Sequence, residues 1–447
     1  MTEYYKPLMN VTDYYSYLRR FVTICYNLDQ LQKVFMMKRL LTLTAIGTIL
    51  CCSDASASGF LLREQSVAAM GNAFAGATAG AEDVSYSFYN PAAIIKQTGT
   101  KATLGATAIV GNVKGYEGKS PFGFDREMDN VVDKAVLPSF AISHQLNDQV
   151  TVGLNLNSPF GLVTDYSKYW SGANHGTLSH LRTYDLMPMA AYRANEHLSF
   201  GAGLNIQYVT AELKNSAGTP YLNHAKLKGD TTDLGYVLGA LYEYSPATRF
   251  GVSYRSEVKH KLKGKIQFDR YIPTGNIATT MRDQDISARL TTPALLTFGA
   301  YHDINEKWAV MAEVQKTYWS SFEDLDIQGA HGLRNITEEN WKDVWFYSIG
   351  ASYKVDDQWK LKVGFAFDQT PVSIHTRTPR IPDSDRIWYS GGVEYKYDDN
   401  WTFNAGYTYI RAEKSKVELK NDPARGDLHA RYKGNIHLFG FSVNYNF

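Results

Sequence analysis

Apolar and polar residues alternate with a period of two through much of this chain. Leu198, Phe200, Ala202, Leu204, Ile206 and Tyr208 interleave with Ser199, Gly201, Gly203, Asn205 and Gln207. Trp308, Val310, Ala312 and Val314 interleave with Ala309, Met311, Glu313 and Gln315. Trp401, Phe403, Ala405, Tyr407 and Tyr409 interleave with Thr402, Asn404, Gly406 and Thr408. The last residues repeat the device, with Phe439, Phe441, Val443, Tyr445 and Phe447 against Gly440, Ser442, Asn444 and Asn446. Successive side chains of a strand point to opposite faces. Each segment therefore has one apolar face and one small or polar face. Lipid outside and a polar interior produce this pattern in a transmembrane β-barrel.

Short turns punctuate the strands: Asn147-Asp148-Gln149, Ala194-Asn195-Glu196-His197, Ser245-Pro246-Ala247-Thr248, Asn305-Glu306-Lys307, Asp356-Asp357-Gln358 and Asp398-Asp399-Asn400. Asn, Asp and Pro tolerate or pre-set tight backbone angles. Between the turns lie longer stretches, read as irregular loops at 114–134, 160–181, 212–230, 259–286, 318–343, 369–386 and 412–433. Seven long loops and six short turns make seven hairpins and fourteen strands. The even count puts both ends of the barrel on the side of the short turns, the periplasm. Trp308, Trp359 and Trp401 follow turns, as residues of an aromatic girdle do. A secreted sandwich or propeller also alternates, but it seldom keeps its long loops on one side and its short turns on the other.

The remaining composition sharpens this picture. Net charge over 447 residues is +1, which leaves no basic footprint for a nucleic acid. The only sustained apolar run, Leu40 to Cys52, is too short to span a bilayer as a helix. Lys38 and Arg39 precede this run, and Ala55-Ser56-Ala57 follows it as a small-residue cleavage site. That is the layout of a signal peptide over 36–57. Residues 1–35 then read as an extension before a start at Met36 or Met37, and the mature chain starts at Ser58. Leu50 precedes Cys51 and Cys51 precedes Cys52, where a lipoprotein signal needs small residues. All three cysteines, Cys25, Cys51 and Cys52, lie before the cleavage site. A thiol catalyst, disulfide scaffold or Cys-ligated metal is thereby excluded from the mature chain. No triad-like grouping and no HExxH motif is present. We expect no catalytic residue, metal or cofactor; a membrane-barrel lipase or protease is the rival enzymatic class.

Ser58 to Gln97 departs from the strand pattern. It is rich in Gly and Ala and keeps neither a strand period nor a long helical one. Barrels of more than about eight strands leave a lumen that side chains do not fill. The expected architecture is therefore all-β: a 14-stranded antiparallel transmembrane barrel over 99–447, with 58–98 folded inside as an N-terminal hatch.

Several motifs point further. They are Gly59-Phe60, Glu64-Gln65-Ser66, Gly71-Asn72-Ala73-Phe74-Ala75-Gly76 and Asn90-Pro91-Ala92, then Ser158-Pro159-Phe160-Gly161-Leu162 and Tyr169-Trp170-Ser171-Gly172. Thr231 to Tyr244, Gly251 to Ser256, Thr317 to Phe322 and Pro382 to Arg386 continue the series. In order and coverage the chain resembles the FadL family of outer-membrane long-chain fatty acid transporters, which also includes aromatic-hydrocarbon porins. Ala93 stands where the family often has Gly after Asn-Pro-Ala, and the extracellular loops carry few family motifs. The resemblance implies a monomeric barrel in the Gram-negative outer membrane. A hydrophobic ligand would be captured at the extracellular loops, passed to a pocket beside the hatch, and released laterally at a kinked third strand.

The residues suggest specific roles. Phe60, Leu61 and Leu62 are candidates to line the ligand pocket or the hatch core. Phe160, Leu162, Tyr166, Tyr169 and Trp170 form a candidate exposed apolar cluster, which usually marks a binding surface. Asn90, Pro91 and Ala92 are candidate hatch-to-wall contacts. Pro159 lacks the N–H that a ladder needs, so Ser158, Pro159 and Gly161 are candidates for a lateral gap. Arg386 is expected to point inward and pair with Glu82 or Asp83; Arg182, Lys226 and Arg255 are weaker candidates to meet a fatty carboxylate. Expected partners are a long-chain fatty acid or other hydrophobic ligand, outer-membrane lipid and lipopolysaccharide, and the barrel assembly machinery through the terminal strand ending in Phe447. Passive fatty acid uptake leads; monoaromatic hydrocarbon uptake, and a surface adhesin or structural barrel, are the alternatives.

Overall fold

In the computed structural model, residues 59–121, 125–216, 224–269, 282–422 and 425–447 are described. The signal peptide, the extension before it and Ser58 lie outside them. The strands are β1 (Thr100–Lys119), β2 (Ala135–Gln145), β3 (Val150–Asn157), β4 (Gly161–Asp165), β5 (Leu178–Arg193), β6 (Leu198–Ser216), β7 (His224–Ser245), β8 (Thr248–Arg255), β9 (Val258–Phe268) and β10 (Gln284–Thr292). They continue with β11 (Leu295–Asp303), β12 (Trp308–Thr317), β13 (Asp324–Gly329), β14 (Arg334–Glu338), β15 (Val344–Lys354), β16 (Trp359–Asp368), β17 (Arg386–Lys396), β18 (Trp401–Ala412), β19 (Ser415–Leu419) and β20 (Leu428–Asn446). Six pairs run on through a short break as one wall strand: β3 with β4, β8 with β9, β10 with β11, β12 with β13, β14 with β15, and β18 with β19. Twenty less six leaves fourteen antiparallel wall strands. β1 pairs with both β2 and β20, so the sheet closes on itself.

The alternation maps onto lipid and lumen. Phe200, Leu204 and Tyr208 stand on the outer surface, and Phe200 is 48% exposed. Asn205 and Gln207, on the opposite face, are almost fully enclosed. The same inversion holds for Trp308 against Glu313, Tyr407 against Thr408, and Phe441 against Ser442. Apolar residues outside and polar residues inside suit a protein whose solvent is hydrocarbon.

The turns show why their residues were legible. Asn147, Asn195, Asn305, Asp356 and Asp398 each accept backbone N–H groups with a side-chain Oδ1. One donor in each case lies three residues on: Val150, Leu198, Trp308, Trp359 and Trp401, at 2.7–3.0 Å. The side chain thus completes the turn locally.

The expected loops need correction. β6 runs to Ser216 and β7 starts at His224, inside the stretch read as 212–230. β9 and β10 occupy much of 259–286, β13 and β14 form a hairpin within 318–343, and β19 lies within 412–433. On β7 and β9 the outward residues of these extensions, among them Lys228, Lys261, Lys263 and Lys265, are charged rather than apolar, so the alternation that betrays a lipid-facing strand is absent there.

Residues 59–97 form short helical turns inside the barrel: Val67–Met70, Ala77–Gly80, Val84–Phe88 and Pro91–Lys96. Almost all of their side chains are buried. If Phe441, which is 55% exposed, faces hydrocarbon, Phe441→Arg should destabilise the folded barrel by about 2–4 kcal/mol. Denaturant unfolding in lipid vesicles, read as heat-modifiable electrophoretic mobility, measures this; a loss below about 0.5 kcal/mol, typical of a water-exposed site, would contradict a lipid-facing wall.

Candidate functional site: the inner segment, the broken strand and an apolar cavity

The third wall strand breaks at Ser158-Pro159-Phe160. β2 pairs with β3 from Gln145↔Thr151 to Phe140↔Leu156 and then loses its partner. Beyond the break, β4 pairs with β5. Residues 135–139 of β2 therefore face no ladder from β4. The break also takes Ser158 to Gly161 out of the ladder, and unpaired backbone groups are costly in an apolar setting. The start of the inner segment meets these break residues. Leu62 N–H donates to the Pro159 carbonyl at 2.7 Å, and Gly161 N–H donates to the Phe60 carbonyl at 2.9 Å. The Gln65 amide donates to the Ser158 carbonyl at 2.8 Å and accepts from Ser158 N–H at 3.0 Å. On the other side Thr183 Oγ1 accepts from Phe160 N–H at 2.9 Å. Residues 60–65 thus act as a short strand laid along the interrupted wall.

Further along, Asn90-Pro91-Ala92 meets the wall at β6 and β7. Asn90 Nδ2 donates to the Ala240 carbonyl at 3.0 Å and to Thr78 O at 2.8 Å, while its Oδ1 accepts from Ala92 N–H at 3.0 Å. The wall is glycine where the segment comes closest. A Cβ on Gly201 would fall on the Pro91–Ala92 backbone, and one on Gly239 would strike the Asn90 side chain.

Charged groups complete the fastening, and sequence reasoning missed most of them. Glu313 on β12 accepts from Thr78 N–H at 3.1 Å and from Thr78 Oγ1 at 2.5 Å. Arg63 reaches Gln315 at 2.7 Å and Asp368 at 3.5 Å. Arg255 donates to the Phe88 carbonyl at 3.2 Å and pairs with Asp185 at 3.3 Å, so it serves the wall and the inner segment. Their signal was a charge at a lumen-facing strand position. Arg386 corrects the expectation: its ion pair is with Asp383, and Asp383 in turn accepts from Gly59 N–H at 2.9 Å. Glu82 is held by Lys362 and Lys360, and Asp83 caps Ser85 and accepts from Asn444. The intervening wall supplied nearer cations than Arg386.

Phe60 forms the base of an apolar cavity. Its ring lies 4.6 Å from Trp319, 5.6 Å from Phe322 and from Trp341, and 6.0 Å from Phe160, edge-on or tilted in each case. Above it, Leu162, Leu181, Leu262, Leu290, Phe322 and Ile381 line the cavity. Glu339 and Arg380 stand among these walls. Burial pushes the Glu339 carboxyl up to about 8, against the hydrogen bond it accepts from Trp341 Nε1–H at 2.9 Å. Burial likewise lowers Arg380 to about 10. Arg380 donates to the carbonyls of Leu178 and Lys214 and to Ser179 Oγ, at 2.9–3.3 Å. Those partners are neutral, and no carboxylate among the described residues forms an ion pair with it.

The structure disperses the other candidates. Leu61 and Leu62 line a smaller, more polar space with Arg63, Arg255 and Glu313. Tyr166 and Trp170 were expected on an exposed cluster but are buried. They stack at 4.4 Å and pack with Met128, Val131 and Tyr432 in the extracellular loops. Tyr169 is exposed beside Lys168. Of the residues proposed for ligand contact, Phe60 and Leu162 line the apolar cavity.

A closed fourteen-stranded barrel that encloses its own N-terminal residues and an apolar cavity belongs to the class of outer-membrane transport barrels. The chain is a member of the family described as outer membrane protein transport protein (OMPP1/FadL/TodX), whose model matches residues 48–447. The long-chain fatty acid transport protein of Escherichia coli K12 is 29% identical over 444 residues, covering 90% of this chain and 97% of that protein. Outer membrane protein P1 of Haemophilus influenzae is 28% identical over 91% of this chain and 99% of its own length. Among solved structures, a Pseudomonas aeruginosa FadL homologue superposes with a TM-score of 0.79 at 24% identity, covering 87% of this chain and all of that one. The P. putida toluene transporter TodX gives 0.64 at 20% identity over 82% and 94%. The protein is an outer-membrane β-barrel.

The glycine contacts make a direct test. Gly201→Val should push Pro91-Ala92 off the wall at a cost of about 1–3 kcal/mol and expose the inner segment to protease. Gly391→Val is the control, because a Cβ there meets nothing closer than 3.9 Å. Limited proteolysis and entry of a small polar antibiotic read both.

Proposed function

We propose that this protein carries hydrophobic compounds, long-chain fatty acids foremost, passively across the outer membrane. The observation that carries the reading is the apolar cavity above Phe60, in which Arg380 is a buried cation with no ion pair among the described residues. An acyl chain is held by apolar walls and oriented by few polar groups. Removing its surface from water contributes roughly 25 cal/mol per Å². With Glu339 neutral near pH 7, Arg380 is free to meet the ligand's carboxylate. The names of the curated relatives support a fatty acid as the ligand.

Residues 58–98 act in this reading as a hatch. Ligand enters between the extracellular loops and settles on Phe60. Withdrawal of Phe60 to Leu62 from Pro159 and Phe160 then joins the cavity to the unpaired stretch between β2 and β4. Ser158, Pro159 and Gly161 frame that exit into the membrane. Asn90-Pro91-Ala92 holds the far end of the hatch while its start moves. The Arg386–Asp383 pair anchors Gly59 at the start. The protein works as a monomer and is assembled through its last strand, ending in Phe447.

Uptake of radiolabelled oleate by a host lacking its own fatty acid transporter tests the function. Expression of this chain should restore uptake. Toluene entry without oleate uptake would replace the reading with hydrocarbon transport, and entry of neither would favour an adhesin or structural barrel. Arg380→Ala should weaken oleate binding by roughly tenfold to a hundredfold, the worth of a hydrogen-bonded charge, and leave a fatty alcohol unaffected. A pH titration provides a further check. Glu339 is neutral below about 8 and ionised above it, so oleate affinity should fall as pH rises through about 8. Glu339→Gln should flatten that profile.

A further inference from the structure

The strand that walls the cavity with Leu262 carries lysines on its other face. Along β9, Lys259, Lys261, Lys263 and Lys265 point outward, while His260, Leu262 and Ile266 are buried. The neighbours add to the row. Lys228 of β7 stands opposite Lys265, and Arg289 of β10 stands opposite Lys261. Asp230 faces Lys263 and Asp285 faces Lys265, so carboxylates are present but too few to balance the cations. Lys259 is paired with Glu257 at 3.0 Å. Lys228, Lys261, Lys263 and Lys265 form no ion pair among the described residues. The whole chain has a net charge of only +1, so the concentration here is local.

Two features say that this face is matched to an anion. Like charges directly opposite on neighbouring strands destabilise a sheet, and Lys265–Lys228 and Lys261–Arg289 are two such pairs. A counter-anion removes that penalty. The position is also specific. Tyr236 and Tyr254, 6.1 Å apart on the outer surface, with Leu234 and Leu238, mark the upper edge of the lipid-facing belt. The lysine row follows Tyr254 along the same wall strand, away from the short turns, where the headgroup layer of the outer leaflet lies.

We propose that the outward face of β7, β9 and β10 is a docking surface for the phosphorylated glycolipid of the outer leaflet, lipopolysaccharide, held through its phosphates. The lysines act as point charges on phosphate oxygens, and Asp230 and Asp285 keep the neighbouring ammonium groups spaced. The docked glycolipid would brace the strand whose inner side forms the cavity wall.

The full-length protein in nanodiscs of neutral phospholipid, titrated with bisphosphorylated lipid A, tests the proposal. Replacing Lys228, Lys261, Lys263 and Lys265 together by Gln should weaken binding by roughly tenfold or more, and replacing the same four by Arg should restore it. Dephosphorylated lipid A should bind the wild-type barrel no better than the Gln variant does. Heat-modifiable electrophoretic mobility of the Gln variant, expected unchanged, verifies its fold, and because the readout uses no fatty acid it stands apart from any failure of the transport reading. The wild-type protein gives a reading independent of any variant, since its affinity for lipid A should fall steeply with added salt. Equal binding by the Gln variant, equal binding of the dephosphorylated lipid, or salt-insensitive binding would overturn the proposal. So would saturation of the face by inorganic phosphate alone, or self-association of the barrel through these lysines.

Discussion

In hydrocarbon a sheet must satisfy every backbone N–H and C=O from its own neighbours, and this barrel interrupts its wall at Pro159. The rest of the site depends on how that interruption is met. Phe60, Leu62 and Gln65 supply the missing hydrogen bonds, so the first residues of the inner segment are drawn to the break rather than to another part of the lumen. This fixes Phe60 as the base of the apolar cavity. It also sets the break in the wall and the apolar cavity next to one another, separated by a few main-chain hydrogen bonds. A seal made of such bonds costs about 1 kcal/mol each to open, which is within reach of ligand binding.

Electrostatics divides the molecule into two regimes. Inside, several charges are paired or hydrogen-bonded to the inner segment: Glu313 with Thr78, Arg255 with Asp185 and Phe88, and Lys362 with Glu82. These contacts hold a glycine- and alanine-rich segment in place beside its buried Leu62, Met70 and Phe74. Arg380, in the cavity wall, has neutral hydrogen-bond partners and no ion pair among the described residues. Outside, Lys261, Lys263 and Lys265 of β9 form no ion pair among the described residues, and in the proposal above they meet the anionic headgroups.

Much of the architecture was legible because hydrocarbon imposes a strict period. Phe200, Leu204 and Tyr208 had to face outward, and Asn195 and Asp356 announced turns by a side-chain mechanism that needs only neighbouring residues. The extracellular strand extensions were not legible. Lys259 to Lys265 alternate with buried residues, yet a charged outer face resembles a solvated loop when read as sequence alone. Tyr166 and Trp170 misled for the opposite reason: large apolar residues in a loop can pack on one another, and here they do. Arg386 was assigned to Glu82 or Asp83 without knowledge of which wall cations stand between them.

The sequence by itself determined the strand count, the inward and outward faces, and the segment that fills the lumen. These follow from local periodicity and from the volume a fourteen-stranded barrel encloses. Only the tertiary structure decided which residues meet across the lumen. It placed Phe60 beneath Leu162 and Leu262, joined Gln65 to Ser158, and left Arg380 without an ion pair among the described residues. The physical reason is that partners such as Gly59 and Asp383, or Thr78 and Glu313, lie hundreds of residues apart, and closure of the barrel, not any local rule, brings them within hydrogen-bond reach.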